Sequence, residues 1–177
     1  MSTRSIARCA ACVALLACGA WVTVPLGLAP FTMQTFVLAL IPQVLGPRES
    51  VLTVAAYLLL GACGLPVFSG FQGGMGTLLG PTGGYLWGFL AGMLPAAAIM
   101  RATALPRRPR VALAGTALLG VSYFLGTLQL MAVYSRPAPA ALSSAALPFV
   151  LPDALKVAAS VTVAESVNRA LGAAARR

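Results

Sequence analysis

The sequence predicts an all-α integral membrane protein, built as a bundle of six transmembrane helices with both termini in the cytoplasm. Of its 177 residues, 59% are hydrophobic and only 8% are charged, whereas a soluble domain has about 25% charged residues. Three long segments carry no charge at all, namely 9–47, 50–100 and 111–135. Each is longer than the ~20 residues that cross a bilayer as a helix. The third observation is that the arginines lie at the termini and in short connections.

Six apolar spans divide the sequence, with boundaries set by charges and by turn residues. The approximate spans are 8–26, 32–46, 50–65, 84–100, 111–134 and 147–170. Spans two and three are short, and a tight turn at residues 46–49 joins them. No polar segment is long enough to form a separate soluble domain, so we expect a single membrane domain over residues 1–177.

The distribution of arginines predicts the orientation of the bundle. With a cytoplasmic N-terminus, ten arginines fall on the cytoplasmic side and only Arg136 falls outside. Such an excess is typical of cytoplasmic connections, and it requires an even number of spans here. We therefore expect a multi-pass protein of the cytoplasmic (inner) membrane, surrounded by membrane lipids. The ten are Arg4, Arg8, Arg48, Arg101, Arg107, Arg108, Arg110, Arg169, Arg176 and Arg177.

Several functional classes are disfavoured by composition. The net charge of +9 does not indicate nucleic-acid binding, because the arginines form no stripe along an amphipathic helix. The chain has no histidine and no second cysteine pair beside Cys9 and Cys12, so we expect no metal site. With one aspartate, two glutamates and no nucleophile paired with a base, an enzyme is disfavoured. No nucleotide-binding Walker motif is present, and no cofactor is expected.

Asp153 and Lys156 are the exception to the charge-free spans, because they lie near the beginning of span six. Charges at hydrocarbon depth are costly and usually mark functional sites. Their i, i+3 spacing places both on one helical face. A structural ion pair near a helix end, or snorkelling of Lys156 to the interface, is the alternative. The predicted orientation puts the pair beneath three outer connections, which suggests a pocket that opens outward.

The connection over residues 66–83 is rich in glycine and carries no charge. It does not resemble a phosphate-binding loop, because the glycine spacing differs and no lysine follows. An uncharged loop with many backbone amides suits a neutral polar group, such as an amide or a urea; a flexible hairpin packed on the bundle is the alternative. At its end Thr82 is suited to an N-cap and Trp87 to a membrane anchor, whereas Tyr85 suits either anchoring or ligand stacking.

Four segments resemble, in the same order, elements of the BioY family, the biotin-binding S components of energy-coupling factor (ECF) transporters. Residues 30–35, Pro-Phe-Thr-Met-Gln-Thr, resemble the PxTLQT element of that family, with Met33 in place of leucine. The substitution conserves volume. The other three segments are residues 57–68, 80–86 and 152–156, so that the resemblance covers nearly the whole chain.

This resemblance implies a six-helix bundle that captures biotin from the outside and performs no chemistry itself. In the family, the aspartate and lysine of the last helix form part of the biotin site, and these match Asp153 and Lys156. Lys156 is suited to the valerate carboxylate, while Asp153 either orients Lys156 or accepts a ureido N–H. The loop candidates for contacts to the ureido group or the rings are Gln34, Gln72, Gly73, Thr82 and Tyr85.

The resemblance also implies partners, namely a coupling subunit and two ABC-type ATPases, which alone would use ATP. On span one, small residues form a stripe that matches the docking surface of S components: Ala7, Ala10, Ala11, Ala14 and Cys18. Internal packing explains such a stripe equally well. Three other functions stay open: a stand-alone biotin transporter (alone or as a homo-oligomer), a membrane enzyme, and a purely structural subunit. Without the resemblance, the residues indicate only a small anionic ligand with neutral polar groups.

Overall fold

A computed structural model describes residues 1–26, 29–102, 105–135 and 137–174. In these ranges the chain forms eight α-helices, one two-stranded β-hairpin and a short 3₁₀ turn at Ser69–Phe71. Arg136, Arg176 and Arg177, which entered the orientation argument, lie outside the described residues. The elements are α1 (Thr3–Trp21), β1 (Thr23–Leu26), β2 (Ala29–Thr32), α2 (Gln34–Val44), α3 (Pro47–Ala62), α4 (Met75–Leu79), α5 (Gly83–Arg101), α6 (Arg107–Tyr134), α7 (Ala138–Ala145) and α8 (Leu147–Ala174).

Each of the six predicted spans overlaps one helix. Four of these helices are long and apolar enough to cross a membrane: α1, α5, α6 and α8. With 11 and 16 residues, α2 and α3 measure about 16 and 24 Å, less than the ~30 Å of hydrocarbon in a bilayer. The helical, multi-pass architecture is therefore confirmed. The count of six crossings and the cytoplasmic position of both termini stay predictions.

The end of span one was predicted wrongly. The helix stops at Trp21, and residues 23–26 form the first strand of an antiparallel hairpin, in which Thr23 faces Thr32 and Pro25 faces Pro30. Val22, Thr23 and Val24 are β-branched and favour extended backbone, and Pro25 cannot continue a helix. The hairpin replaces the last turns of the predicted span and returns the chain to the beginning of α2.

Helices α5 and α6 pack closely through a row of glycines at i, i+4 spacing: Gly84, Gly88 and Gly92. A Cβ atom at Gly84 would lie 2.3 Å from the Leu125 carbonyl oxygen, and one at Gly88 would lie 2.5 Å from the Ser122 Cα. The two backbones therefore touch at distances that only glycine permits, as small residues allow in membrane helix pairs. This contact fixes the height of α5 relative to α6 and thus aligns their polar side chains.

Helix α2 lies inside the bundle, where eight of its 11 residues are buried. It packs against α1, α5, α6 and α8. Its first turn carries Thr35, which donates to Asp153 of α8, and Gln34, which donates to Tyr57 of α3. The short helix thus places polar side chains in the middle of an apolar bundle, close to the hairpin and the glycine-rich connection.

Candidate ligand cavity

A cavity lies between the hairpin, the glycine-rich connection and the helices α2, α5, α6 and α8. It contains about 650 Å³ of empty space, a figure that includes the part that opens to solvent. Tyr85 of α5 and Asp153 of α8 line the cavity. Arg101 and Arg169 follow them by 16 residues on the same helices, a distance of about 24 Å. The cavity and these two arginines therefore lie at opposite ends of the bundle.

Asp153 is the centre of a hydrogen-bonded cluster in the wall of this cavity, and only 3% of the residue is exposed. Its Oδ1 accepts hydrogen bonds from the Thr35 hydroxyl at 2.8 Å and from Lys156 Nζ at 2.7 Å. Its Oδ2 accepts one from the Tyr123 hydroxyl at 2.6 Å. Three donors from three helices thus hold this carboxylate in one orientation.

Lys156 is also buried, with 7% of the residue exposed. Its ammonium group donates to the Thr32 carbonyl at 2.6 Å, to Asp153 Oδ1 at 2.7 Å and to the Thr35 hydroxyl at 3.1 Å. The nitrogen also lies 3.6 Å from the centre of the Phe31 ring, a cation–π distance. All three N–H donors of the ammonium group have partners, so the buried positive charge of Lys156 is well compensated.

The two charges differ in their remaining capacity for a ligand. A carboxylate offers about four acceptor positions, of which Asp153 uses three. An ammonium group offers three donors, and Lys156 uses all three. Asp153 therefore has room for one further donor, whereas Lys156 binds a new acceptor only by releasing one of its present partners.

Gln34 is held beside this cluster by a second set of hydrogen bonds. Its Oε1 accepts from the Thr32 hydroxyl at 3.0 Å, and its Nε2 donates to the Tyr57 hydroxyl at 2.8 Å. Tyr57 in turn donates to the Val67 carbonyl at 2.8 Å. One N–H of the Gln34 amide is left over by these contacts, and the side chain lines the cavity. The hydrogen bonds through Tyr57 thus connect α2 to the beginning of the glycine-rich connection.

Aromatic side chains form the apolar part of the wall. The Phe31 and Phe149 rings stack at 6.2 Å with an interplanar angle of 14°. Tyr85 lies against Gly126, where an added Cβ would come within 2.4 Å of the ring. With Phe89 and Tyr123 on the neighbouring helices, these rings surround a slot suited to flat, weakly polar ring systems.

The glycine-rich connection is folded tightly onto the bundle. Phe68 is 1% exposed and packs against Gly61 and, edge to face, against Tyr57 at 5.5 Å. Trp21 stacks on Phe71 at 5.2 Å and donates to the Pro66 carbonyl at 2.8 Å. These contacts pack the connection on the bundle, where it forms a cover above the cavity.

Comparison with known proteins identifies the family. Residues 1–173 match the sequence model of the BioY family. The chain belongs to the BioY family. "Biotin transporter BioY" of Thermotoga maritima is 39% identical over 164 residues, which is 91% of this chain and 94% of that protein. "Biotin transporter BioY" of Rhodobacter capsulatus is 34% identical over 167 residues, or 86% of each.

Among solved structures, the fold is similar to that of "the S-component for biotin from an ECF-type ABC transporter". The TM-score is 0.86, with 96% of this chain and 95% of that chain covered at 22% sequence identity. The BioY resemblance drawn from four sequence segments is thus confirmed at the level of family and fold. No sequence motif outside that family is needed to explain the architecture.

The structure brings together five of the seven residues that the BioY resemblance suggested for the ligand site. Gln72 and Gly73 lie apart from them, in a surface depression that shares Thr77 and Thr82 with the cavity. Gly73 has a packing reason to be glycine, because a Cβ there would lie 2.3 Å from the Leu65 carbonyl oxygen. The five that line the cavity are Gln34, Thr82, Tyr85, Asp153 and Lys156.

Thr82 occupies the N-cap position of α5, as predicted, yet its side chain makes no capping hydrogen bond. The hydroxyl group is therefore not committed to the helix end, and the residue lines the cavity instead.

Trp87 donates from Nε1 to the Leu78 carbonyl at 3.1 Å. Its ring thus helps to attach α4 to α5, in addition to the anchoring role that its position suggests.

Several wall residues lie outside the set predicted from the sequence, among them Thr35, Tyr123 and Phe149. Thr35 belongs to the PxTLQT-like segment and offered a signal, because it is the polar residue one position after Gln34. Tyr123 and Phe149 lie in apolar spans, where an aromatic residue is ordinary. Only the packing of α6 and α8 against β2 reveals their contact with the site.

The small-residue stripe on α1 is exposed along its length. Cys12, Leu16 and Ala17 face the bundle and are buried, whereas the stripe lies on the opposite side. Internal packing within the described chain therefore does not explain it. The exposed members are Ala7, Ala10, Ala11, Ala14 and Cys18.

Proposed function

We propose that this chain is the biotin-capture subunit of an ECF-type uptake transporter in the cytoplasmic membrane, which binds biotin from the outer side. Two relatives are named as biotin transporters, and the similar structure is that of an S-component for biotin. The observation that carries the proposal is the buried Asp153–Lys156 ion pair, at 2.7 Å, in the wall of an aromatic cavity. A purely structural subunit would have no use for this costly arrangement.

The hydrogen-bonding capacity of the cluster suggests how biotin would be held. The fourth acceptor position of Asp153 suits one N–H of the ureido ring. The valerate carboxylate would then approach Lys156 and replace the Thr35 hydroxyl, whose contact with the ammonium group is the longest of the three at 3.1 Å. An ammonium–carboxylate contact is stronger than one to a neutral hydroxyl, so the exchange is favourable.

The neutral parts of biotin would fill the rest of the cavity. Its fused rings suit the slot beside Phe31 and Phe149. The spare N–H of Gln34 and the hydroxyl groups of Thr82 and Tyr85 are candidates for the ureido oxygen. Gln72 lies in the neighbouring depression and would reach the ligand only if the cover above the cavity moved.

Capture requires no chemistry from this chain, and the energy for uptake would come from partners. We assign the docking of a coupling subunit to the exposed stripe of Ala7, Ala10, Ala11 and Ala14 on α1, because small residues permit close approach of a second helix. Two ABC-type ATPases attached to that subunit would consume the ATP. No cofactor enters the proposal.

Equilibrium binding to the purified protein tests the assignment of the ligand. Radiolabelled biotin should bind saturably, and biotin amide, which lacks the negative charge, should compete at least tenfold more weakly because the Lys156 contact is lost (about 1.4 kcal/mol). Equal competition by biotin and biotin amide would contradict the proposed contact between Lys156 and the valerate carboxylate. Absence of binding by either compound would contradict the proposal as a whole.

Uptake in cells tests whether partners are needed. The chain is expressed in cells that lack biotin uptake genes, with and without a coupling subunit and its ATPases. Without partners, we expect the amount of cell-associated biotin to equal the molar amount of the expressed protein. We also expect this biotin to be released when the cells are washed at high dilution. Concentrative uptake in the absence of partners would instead support the stand-alone transporter, alone or as a homo-oligomer.

A further inference from the structure

A groove runs along the surface of the bundle at the end opposite the cavity. It lies between the first two turns of α3 and the end of α5, and its walls are Pro47 and Val51 on one side and Leu94 and Ala98 on the other. Arg101 lies at the end of the groove. The walls are apolar and a cation lies at one end, so the groove has the chemistry to take a hydrocarbon chain that carries an anionic group.

Positive charge is concentrated at this end of the groove. Arg101 is exposed and makes no hydrogen bond or ion pair with any described residue. Arg110 donates from Nη1 to the Ala102 carbonyl at 2.7 Å, and Ala102 itself lines the groove. The Arg110 guanidinium group is thereby held against the backbone of the residue that follows Arg101. Arg48, which follows Pro47 directly, is also exposed.

The nearby acidic side chains face elsewhere. Glu49 accepts a hydrogen bond from the Gly46 amide at 3.1 Å, and its carbonyl faces Cys9 on α1, on the other side of α3 from the groove. Glu165 of α8 lies 3.8 Å from Arg107. The chain has one other acidic residue, Asp153, which lies in the cavity at the far end. An anion at Arg101 therefore meets no opposing carboxylate.

We infer that this groove binds one anionic phospholipid, with an acyl chain against Val51, Leu94 and Ala98 and the phosphate on Arg101 and Arg110. Basic pockets at the ends of membrane helices bind anionic headgroups, with about 1 kcal/mol from each Lys or Arg near the surface. The planar guanidinium fork also matches two phosphate oxygens at once. A zwitterionic headgroup would gain less, because its ammonium group meets arginines.

Thermal unfolding in mixed micelles tests the inference. The full chain is titrated with palmitoyl-oleoyl phosphatidylglycerol and, separately, with phosphatidylcholine that carries the same chains. We expect a saturable rise in Tm with phosphatidylglycerol alone. Arg101→Gln should raise the half-saturating lipid fraction about fivefold, as ~1 kcal/mol predicts, while Arg108→Gln, an exposed arginine outside the groove, should leave it unchanged.

A second pair of variants tests the apolar part of the groove. Ala98 is exposed, so Ala98→Phe fills the slot without disturbing the core and should abolish the saturable rise; Ala98→Leu is the smaller plug if the larger one impairs folding. Soluble glycerol phosphate should have no effect, since it has no acyl chain. The inference would be overturned by an equal rise in Tm with both lipids or by equal effects of Arg101→Gln and Arg108→Gln. A full rise in Tm in the Ala98 variants, or any rise with glycerol phosphate, would overturn it as well.

Discussion

At the scale of single residues, the site depends on two opposite charges that are buried together. A buried charge without a partner costs several kcal/mol, while a buried pair with further hydrogen bonds is tolerated. Asp153 and Lys156 satisfy this condition through Thr32, Thr35 and Tyr123. The side chains of the site thus balance one another electrically, and a ligand would act on an arrangement that is already formed.

Removing one charge should therefore be worse than removing both. Lys156→Met leaves the carboxylate of Asp153 buried without its counter-charge, and we expect a loss of about 3–5 kcal/mol in the free energy of unfolding. The double variant Asp153→Asn/Lys156→Met should recover most of this loss. Chemical or thermal unfolding in detergent measures both. A double variant that is no more stable than Lys156→Met would contradict this expectation.

Tyr123 should stabilise the carboxylate through a single hydrogen bond. Tyr123→Phe removes the hydroxyl that donates to Asp153 at 2.6 Å, and hydrogen bonds to charged groups contribute about 1.5–3 kcal/mol. We expect a lower Tm, measured by intrinsic fluorescence. The control is Tyr134→Phe, because Tyr134 is 47% exposed. Equal Tm values for both variants would mean that the Tyr123 contact has no energetic importance.

At the scale of elements, the glycine row of α5 determines how the cavity walls meet. Gly84, Gly88 and Gly92 bring α5 and α6 into backbone contact, which places Tyr85 and Phe89 opposite Ser122 and Tyr123. The i, i+4 spacing of the glycines is visible in the sequence and is typical of a close contact with another helix. The partner helix of α5 could not be inferred from spacing alone.

A methyl group in this row should separate the helices. In Gly88→Ala the new Cβ would lie 2.5 Å from the Ser122 Cα, so backbone must move, and overpacking of this kind costs about 1–3 kcal/mol. We expect a lower Tm and weaker biotin binding together. Gly120→Ala on α6 is the matched control, since nothing lies within 4 Å of a Cβ there. A harmless Gly88→Ala would contradict the close packing of α5 and α6.

The sequence predicted some elements well and others poorly, for identifiable reasons. The long helices α5, α6 and α8 lie close to the predicted spans because continuous hydrophobicity is a strong signal. The hairpin at residues 23–32 was missed because its two prolines and a glycine read as a loop, and strands of four residues give little alternating pattern. Asp153 and Lys156 stood out as charges, whereas Tyr123 looked like any aromatic residue of a membrane helix.

At the scale of the whole molecule, the three proposed functions belong to two ends and one side of the bundle. The candidate cavity lies beneath the hairpin and the glycine-rich connection, and Arg101 and Arg169 lie about 24 Å away along α5 and α8. The exposed alanines of α1 form a third surface. This separation means that ligand capture, lipid binding and docking of a partner can be disturbed independently by mutation.

Docking should therefore be lost without loss of ligand binding. Ala10→Leu adds bulk to the exposed stripe on α1, which should prevent close approach of a second helix. We expect at least tenfold less coupling subunit to co-purify, with unchanged biotin affinity. Ala159→Leu, at an exposed position of α8, is the control. Equal co-purification with both variants would place the docking surface elsewhere.

The central claim is that the buried pair of Asp153 and Lys156 recognises biotin. Equilibrium binding of radiolabelled biotin to the wild type and to the Asp153→Asn/Lys156→Met double variant, in the same detergent, tests it most directly. Because the double variant keeps the cavity electrically balanced, it should unfold near the wild-type temperature and yet lose at least a hundredfold in affinity, or about 2.7 kcal/mol. A folded double variant that binds biotin with wild-type affinity would contradict the claim.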